Sequence, residues 1–318
     1  MIKSSLRVVI IGFGIQGKKR SLIASEQLIS IVDPLSPVAN FKDIKELSLN
    51  QYDAALVCTG DSEKIKIIEY LINNKKHVLV EKPLISNSTK DIEKIISLTN
   101  ENKVACYTAY NHRFEPHFIN MKNLIKSKKL GKIYNIRMFY GNGTAKLVKQ
   151  SPWRDNHTGV LSDLGSHLLD TLDFWIDDVK NHQFKVTKYL KKENQSFDHV
   201  IINNFNEKND VSIQLEMSLL CWKNTFTCDI FGEKGSAHIN SLCKWGPSEF
   251  IHRKRIFPSG IPNEIRKIIV NNDPTWNLEY KYFLNSCIQK KSNTLKKDIW
   301  INNVLLELSK QTKVDFII

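Results

Sequence analysis

The fold is decided by one stretch near the start of the chain, RVVIIGFGIQG at residues 7–17. Its apolar, β-branched beginning is typical of a strand that is buried on both faces of a parallel sheet. A G-x-G-x-x-G pattern follows at once and leads into a helix-compatible segment at 18–25. Here Gly12 permits a tight turn, Gly14 lets backbone N–H groups approach a pyrophosphate, and Gly17 lets the helix pack close to the sheet. The stretch therefore predicts the strand, loop and helix that open a dinucleotide-binding domain.

A carboxylate stands where such a domain would bind a ribose. The second apolar run, 28–32, ends at Asp33, about 20 residues after the first glycine. An acid there can accept hydrogen bonds from the adenosine ribose hydroxyls and would repel a 2′-phosphate, which favours NAD over NADP. Ser36 and Lys42 leave limited room for the use of both cofactors. The alternative is that Asp33 is an ordinary turn residue before Pro34.

The apolar runs show two rhythms along the chain. In the first part, strands alternate with helices, which predicts βαβ units and a parallel sheet. The strands predicted there are 7–11, 28–32, 54–59, 78–80 and 104–110, and the helices are 18–25, 63–73 and 91–99. In the second part, strand-like runs follow one another without helices between them, which predicts a largely antiparallel sheet. The strands predicted there are 133–140, 182–190, 199–205, 211–219, 225–231, 236–242 and 250–256, and the helices are 118–128, 277–289 and 298–310.

The predicted fold is therefore α/β with two domains. Residues 1–115 are expected to form a Rossmann dinucleotide-binding domain around a parallel sheet. Residues 116–318 are expected to form an α+β domain for substrate binding and oligomerisation, with a large, mostly antiparallel, open-faced sheet. The last helices are candidates for packing back on the first domain. A chain of 318 residues is long enough for two hydrophobic cores.

Composition and charge exclude several classes of protein. With 42% hydrophobic and 25% charged residues, the chain is typical of a globular protein rather than a disordered or fibrous one. The net charge of +13 raises the question of nucleic-acid binding, but the lysines are spread out and no arginine-rich stripe is present. Short runs such as Lys18-Lys19-Arg20 are of the kind found at solvated helix ends. We therefore expect a lysine-rich surface and no nucleic-acid partner.

The sequence predicts neither a membrane segment nor a metal site. No apolar run approaches the roughly 18 residues needed to span a bilayer, so we expect no membrane partner and a cytoplasmic protein. The six cysteines are scattered, without a C-x-x-C pair or a Cys/His cluster at zinc spacing. They are expected to be small buried residues in a reducing compartment.

Polar groups of chemical use recur along an otherwise apolar segment, GVLSDLGSHLLD at residues 159–170. If this segment is helical, Asp163 and His167 lie one turn apart on the same face, a spacing that suits an acid/base pair. A hydrogen-bonded core histidine is the alternative. Two further motifs follow strand ends, Glu81-Lys82-Pro83 and Asn111-His112-Arg113-Phe114. Ligands of parallel sheets bind at the carboxyl ends of the strands, so both motifs are candidates for a site.

These motifs and the glycine loop, in this order, resemble the Gfo/Idh/MocA family of NAD(P)-dependent oxidoreductases over nearly the whole chain. The founding members of this family act on sugars and polyols. The resemblance implies that Lys82, Asp163 and His167 are the catalytic group. It also implies a nicotinamide cofactor, for which Asp33 favours NAD over NADP. The residues expected to bind the cofactor are Gly12, Phe13, Gly14, Ile15, Gln16, Gly17, Asp33, Thr59, Glu81 and Lys82.

The reaction that this resemblance implies is hydride transfer between C4 of the nicotinamide and a carbinol or ketone carbon of a sugar or nucleotide-sugar. His167 would be the general base for the hydroxyl proton, Lys82 would orient that oxygen, and Asp163 would hold and tune its partners. The roles of the lysine and the histidine are open to exchange. Two other functions stay open: an enzyme with transient oxidation, as in NAD-dependent glycoside cleavage, and a non-catalytic NAD-sensing regulatory protein.

The chain departs from the family pattern at two places near the cofactor motifs. Many members have a histidine where Arg20 stands here. Many also have a proline and a helix-starting histidine in the segment that here is Thr59-Gly60-Asp61-Ser62-Glu63-Lys64. The surroundings of the cofactor are therefore less well predicted than the cofactor itself.

The substrate is predicted only as a class. The candidate substrate-binding residues are Asn111, Arg113, Lys146 and Arg154. Lys146 and Arg154, the latter in the segment Trp153-Arg154-Asp155, could bind a carboxylate or the phosphate of a nucleotide-linked sugar. Surface loop charges are the alternative. By resemblance, the chain is expected to be a homo-oligomer, a dimer or a tetramer, that assembles through the open face of its second sheet.

Overall fold

The computed structural model describes residues 6–151, 154–205, 211–270, 272–291 and 295–314. The chain divides into two compact units. The first contains Met1–Tyr110 and Trp276–Asn303, and the second contains Asn111–Thr275 and Val304–Phe316. No helix within the described ranges is both long enough and apolar enough to cross a membrane.

The first unit is built on a parallel sheet. Its strands are β1 (Val8–Ile11), β2 (Leu28–Val32), β3 (Ala54–Val57), β4 (His77–Glu81) and β5 (Cys106–Ala109). The helices between them are α1 (Ile15–Ala24), α2 (Asp61–Asn73) and α3 (Thr89–Asn102). The five strands pair in the order β2-β1-β3-β4-β5, and every pairing is parallel. This confirms the predicted Rossmann sheet.

The central strands of this sheet have no exposed face. Every residue of β1 and β3 is buried, as a continuous apolar run requires when helices cover both sides of a sheet. Because the strands are parallel, their carboxyl ends lie along one edge of the sheet. The glycine loop, Asp33, Thr59 and the Glu81-Lys82-Pro83 turn all follow strand ends and therefore stand along that edge.

The second unit is built on a larger sheet. Its strands are β6 (Ile133–Gly141), β7 (Phe184–Leu190), β8 (His199–Asn204), β9 (Ser212–Ser218), β10 (Thr225–Gly232), β11 (Gly235–Asn240), β12 (Ser248–Lys254) and β13 (Asn263–Ile269). Its helices are α4 (Pro116–Lys126), α5 (Ala145–Lys149) and α6 (Val160–Trp175). The strands pair in the order β13-β12-β11-β10-β6-β9-β8-β7, and within it β6 and β9 are parallel neighbours. The other pairings are antiparallel, which confirms the predicted mostly antiparallel sheet.

The two faces of this second sheet differ. Along β10, Phe226, Cys228 and Ile230 are buried, while the residues between them are only partly covered. The helix α6 packs on β9, β6 and β8, so it covers the buried face. The strand β13 and the short helix α5 were not predicted from the sequence. In β13, six of the seven residues are exposed, so no buried face gives this strand an alternating pattern.

Two helices close the chain, α7 (Thr275–Ile288) and α8 (Lys296–Thr312). Nearly all of α7 belongs to the first unit. There, Phe283 is buried and the Tyr280 hydroxyl donates a hydrogen bond to Gln27 at 3.0 Å. The helix thus packs beside the start of β2.

Candidate active site

The glycine loop has the backbone geometry that its sequence predicts. Gly12 has a positive φ of +90°, and a Cβ there would lie 2.7 Å from the carbonyl oxygen of Cys58. A Cβ at Gly17 would lie 2.1 Å from the carbonyl oxygen of Gly12, so α1 starts too close to the loop for a side chain. At Gly14 a Cβ would meet no atom within 4 Å. No side chain caps the start of α1, and the positive end of its dipole and its first N–H groups suit an anion.

Asp33 fastens the glycine loop to the end of β2. Its carboxylate accepts hydrogen bonds from the backbone N–H groups of Phe13 at 2.6 Å, Leu35 at 2.8 Å and Ser36 at 2.8 Å. Burial acts to raise the pKa of Asp33, but these hydrogen bonds outweigh it and lower the pKa below its usual value. Asp33 is therefore both a turn residue and a charged group beside the loop, so the two interpretations of this residue are compatible.

Two more predicted cofactor residues stand at the ends of β3 and β4. The hydroxyl of Thr59 is buried and has no hydrogen-bond partner among the described residues, so it is available to a ligand. The carboxylate of Glu81 is buried and accepts a hydrogen bond from Nε of Arg20 at 2.6 Å. Lys82, which follows Glu81, is partly exposed.

The helix α6 confirms the predicted helical spacing of Asp163 and His167. Asp163 lies in the first turn, where a carboxylate is stabilised by the helix dipole. One turn later, His167 is buried. Its ring stacks on His112 at a centroid distance of 4.2 Å and meets the edge of the Tyr140 ring at 5.9 Å. Rings on two sides thus hold the imidazole of His167 in one plane.

The phenol of Tyr140 links these two predicted catalytic residues. Burial raises the pKa of Tyr140 well above its usual value, and the negative charge of Asp163 raises it further. The hydroxyl therefore stays neutral at every pH at which the protein would be assayed. Tyr140 thus packs as a neutral ring against both His112 and His167.

The four candidate substrate residues differ in how far they are already engaged. The guanidinium of Arg113 is bound by two carboxylates of α6, Asp170 at 2.8 Å and Asp173 at 2.7 Å. The amide of Asn111 is buried and donates to the Thr275 hydroxyl at 2.8 Å. Both residues are therefore part of the internal framework of the second unit.

Arg154 and Lys146 lie at the surface of the second unit. Arg154 is 3.6 Å from the carboxylate of Asp163, and both side chains are partly exposed. Lys146 is exposed on α5. Trp153, the aromatic neighbour of Arg154, lies outside the described residues. Of the predicted substrate residues, Arg154 is thus the one that stands beside a predicted catalytic residue.

Two family models match the chain. A model of an oxidoreductase family with an NAD-binding Rossmann fold matches residues 6–110, and the GFO/IDH/MocA C-terminal domain matches residues 118–238. The chain belongs to the Gfo/Idh/MocA family. The first model ends at Tyr110, where the first segment of the first unit also ends.

Known proteins and solved structures match this chain to different extents. Myo-inositol 2-dehydrogenase of Thermotoga maritima is 28% identical over 117 residues, which is 36% of this chain and 35% of that protein. The chain thus spans about a third of the length of this curated relative. A candidate NADPH-dependent oxidoreductase from Desulfitobacterium hafniense superposes with a TM-score of 0.81 at 17% identity, covering 97% of this chain and 96% of that one. A dehydrogenase from Bordetella pertussis in complex with NADH and UDP-GlcNAcA superposes with a TM-score of 0.75 at 16% identity, covering 97% of each chain.

Arg20, and Lys64 at the end of the segment that departs from the Gfo/Idh/MocA pattern, are both buried cations. Arg20 and Lys64 are 1% and 2% exposed, so the expectation that Arg20 belongs to a solvated helix end is wrong. Arg20 shares the buried stripe of α1 with Gly17 and Ala24, and Lys64 shares that of α2 with Ile68. A cation on the apolar stripe of a helix was the signal in the sequence that could have marked both residues.

Proposed function

We propose that this chain is an NAD(P)-dependent oxidoreductase that transfers a hydride between the nicotinamide and a carbinol or ketone carbon of a sugar or nucleotide-sugar. The observation that carries the proposal is the buried His167, held in one plane by rings and placed one helical turn from Asp163. An acid/base pair on one helix face, in a chain with a glycine loop fit for a pyrophosphate, suits oxidation of a hydroxyl.

The residues of the first unit fit a dinucleotide. The open space at Gly14 and the uncapped start of α1 would hold the pyrophosphate, and the free hydroxyl of Thr59 would donate to it or to a ribose. We favour NAD over NADP because the lowered pKa of Asp33 keeps a negative charge where a 2′-phosphate would lie. When bound, the cofactor supplies or accepts the hydride.

We propose that His167 takes the proton from the substrate hydroxyl, that Lys82 orients the same oxygen and stabilises the charge that develops on it, and that Asp163 holds and tunes its partners. The exchange of the lysine and histidine roles is the alternative. Both assignments follow the family pattern E-K-P and D-x-G-x-H. The buried surroundings of His167 support them, because water would otherwise compete for the proton.

The names of similar proteins and two cations of the second unit support the proposed substrate class. The Thermotoga relative is named for an inositol, and the Bordetella structure contains UDP-GlcNAcA. We propose that Arg154 and Lys146 bind an anionic group of a nucleotide-sugar or an acidic sugar, since Arg154 is a partly exposed and Lys146 an exposed cation of the second unit. Asn111 and Arg113 would support the site from within the framework.

The test is a screen of free and nucleotide-linked sugars with NAD and with NADP, followed by NADH or NADPH absorbance. With an active substrate, His167→Asn should lower turnover by about 10²- to 10⁴-fold and leave NADH binding unchanged. The matched control is His199→Asn on β8, which changes a histidine outside the four motifs. Near-normal turnover of His167→Asn would sink the catalytic assignment.

The same screen separates the two other functions. Product formation from a glycoside without accumulation of NADH would indicate transient oxidation. Tight NAD binding without turnover of any sugar would indicate an NAD-sensing regulatory protein.

We also propose that the chain forms a homo-oligomer through the face of the second sheet opposite α6. On that face Phe231 and Ile268 are 43% and 59% exposed, so large apolar side chains are available there to a partner subunit. Light scattering coupled to gel filtration measures the mass, and a mass of one chain at micromolar concentration would contradict the proposal.

A further inference from the structure

The Glu81-Lys82-Pro83 turn is held from two sides by buried cations. On one side Arg20 donates from Nε to the carboxylate of Glu81 at 2.6 Å. On the other side Lys64 donates from Nζ to the carbonyl oxygen of Pro83 at 2.8 Å. These two contacts fix the residues directly before and after Lys82.

Each cation is itself anchored by a second acid of the first unit. The other end of the Arg20 guanidinium donates to Glu279 of α7 at 2.7 Å, and Glu279 is completely buried. Lys64 also donates to Asp61, one turn earlier on α2, at 2.6 Å. Charge-assisted hydrogen bonds of this length are strong and directional, so neither cation is free to swing away from the turn.

The surroundings of Arg20 show why its charge matters. Glu81 of β4 and Glu279 of α7 both face the guanidinium, and the Trp276 ring lies 4.3 Å from it. The charge of Arg20 also acts on the partly exposed Cys58: burial and the charge of Glu81 raise the pKa of its thiol, and Arg20 and Lys64 oppose the rise. Arg20 thus places a positive charge between two buried carboxylates, and removal of that charge would leave both without this partner.

We propose that Arg20 and Lys64 are positioning residues that clamp the Glu81-Lys82-Pro83 turn and so hold Lys82 in place. At Arg20 the clamp has an arginine where many family members have a histidine. A guanidinium and an ammonium keep their charge through the neutral range, whereas an imidazole loses it near pH 6.5. The inference rests on the proposed function, because the clamp affects the reaction only if Lys82 has its proposed role.

The first test is Arg20→His, which restores the family residue. In the folded protein the pKa of the new imidazole would be raised by Glu81 and Glu279, so its stabilising charge is present at pH 6 and is lost as the pH rises through that raised value. We expect the melting temperature and the affinity for NADH at pH 6 to be close to wild type. At pH 9 we expect a melting temperature lower by on the order of 10 °C and a Kd for NADH on the order of tenfold higher.

The matched control is Lys19→His, one residue earlier on α1. The ammonium of Lys19 also lies over the Trp276 ring, at 5.4 Å, but its side chain is exposed rather than buried between two carboxylates. Its melting and NADH-binding profiles should follow wild type at every pH. If Arg20→His also follows wild type, the clamp does not exist. If Arg20→His changes the melting temperature but not the Kd or the turnover, Arg20 is a stabilising residue only, and the proposal is overturned.

The second test is Lys64→Met, which keeps the length of the side chain and removes the donor to Pro83. With an active substrate, kcat should fall by about ten- to a hundredfold because Lys82 is displaced, while the KM for the sugar changes little. The control is Lys66→Met, an exposed lysine on the same helix. Equal kcat values for both variants would overturn the clamp. If wild type oxidises no sugar, the proposed function has failed, and the Arg20→His binding and melting profiles still decide on the clamp.

Discussion

The Glu81-Lys82-Pro83 turn and the helix α6 hold the two predicted proton-transfer residues in different ways. The turn is fixed by short hydrogen bonds to buried cations, Arg20 and Lys64. His167 of α6 is fixed by the flat faces and edges of other rings. Charge-assisted hydrogen bonds are directional, but the loss of one partner leaves the other charge buried and unpaired. Packed aromatic rings tolerate substitutions that keep the side-chain volume. The two regions should therefore respond to different substitutions.

The largest effect is expected where the rings meet. Tyr140 is buried among the rings of His112, His167, Phe226 and Trp245. Tyr140→Ala should lower the free energy of unfolding by about 4 kcal/mol, because a large side chain leaves a cavity. Tyr140→Phe keeps the ring and should change it by less than about 1 kcal/mol. Urea denaturation measures both, and equal losses would mean that the hydroxyl rather than the ring holds this region.

A charged anchor lies beyond His167 on the same helix. Arg113 binds Asp170, which is 1% exposed, and Asp173. Arg113→Met should lower the free energy of unfolding by about 3 kcal/mol, because it leaves a buried carboxylate without its cation. Arg113→Lys keeps the positive charge but cannot donate to both carboxylates as a planar guanidinium does, so its loss of unfolding free energy should be smaller than that of Arg113→Met. A loss below about 1 kcal/mol for Arg113→Met in urea would show that charges do not fasten α6.

The sequence predicted both sheets because each shows its burial in its apolar pattern. The continuous runs at β1 and β3 are buried on both faces, and the alternating run at β10 is buried on one. The strand β13 has almost no buried residue and therefore no pattern to detect. The strand's place in the sheet comes from its pairing with β12, which local sequence does not contain.

The candidate site was predictable only where its residues are close in sequence. The glycine loop, Asp33, and the one-turn spacing of Asp163 and His167 follow from local rules. Arg20 was not recognised, because its acid partner Glu279 lies 259 residues away. His112 was not recognised either, since its stacking on His167 depends on how α6 packs against the turn at Asn111–Phe114. Contacts between distant segments require the fold.

A smaller effect on stability is expected when the pH is lowered, at the strand β4 that leads into the Glu81-Lys82-Pro83 turn. At the start of β4, Nδ1 of His77 accepts a hydrogen bond from the backbone N–H of Ala105 at 2.9 Å. Burial lowers the pKa of His77, and the charge of Lys290 lowers it further. The stability that the neutral ring contributes is therefore present above about pH 6.5 and is lost as the pH falls through the lowered pKa.

The measurement compares wild type with His77→Gln, whose amide oxygen can accept the same hydrogen bond without titrating. Between pH 7.5 and pH 5, wild type should lose about 1 kcal/mol more of its free energy of unfolding than the variant. Parallel curves for the two proteins would show that His77 does not couple β4 to pH.

The smallest effect on stability is expected at Arg154, because its guanidinium is neither buried nor packed against aromatic rings. Its distance of 3.6 Å from Asp163 and the exposure of both side chains predict that Arg154→Met changes the free energy of unfolding by less than about 1 kcal/mol. If Arg154 binds an anionic substrate group, the same variant should raise the KM for a nucleotide-sugar about tenfold and leave that for a neutral sugar unchanged. Equal KM changes for both substrates would instead indicate that Arg154 orients Asp163. In that case α6 would be held by ring contacts at His167 and by a surface charge at Asp163.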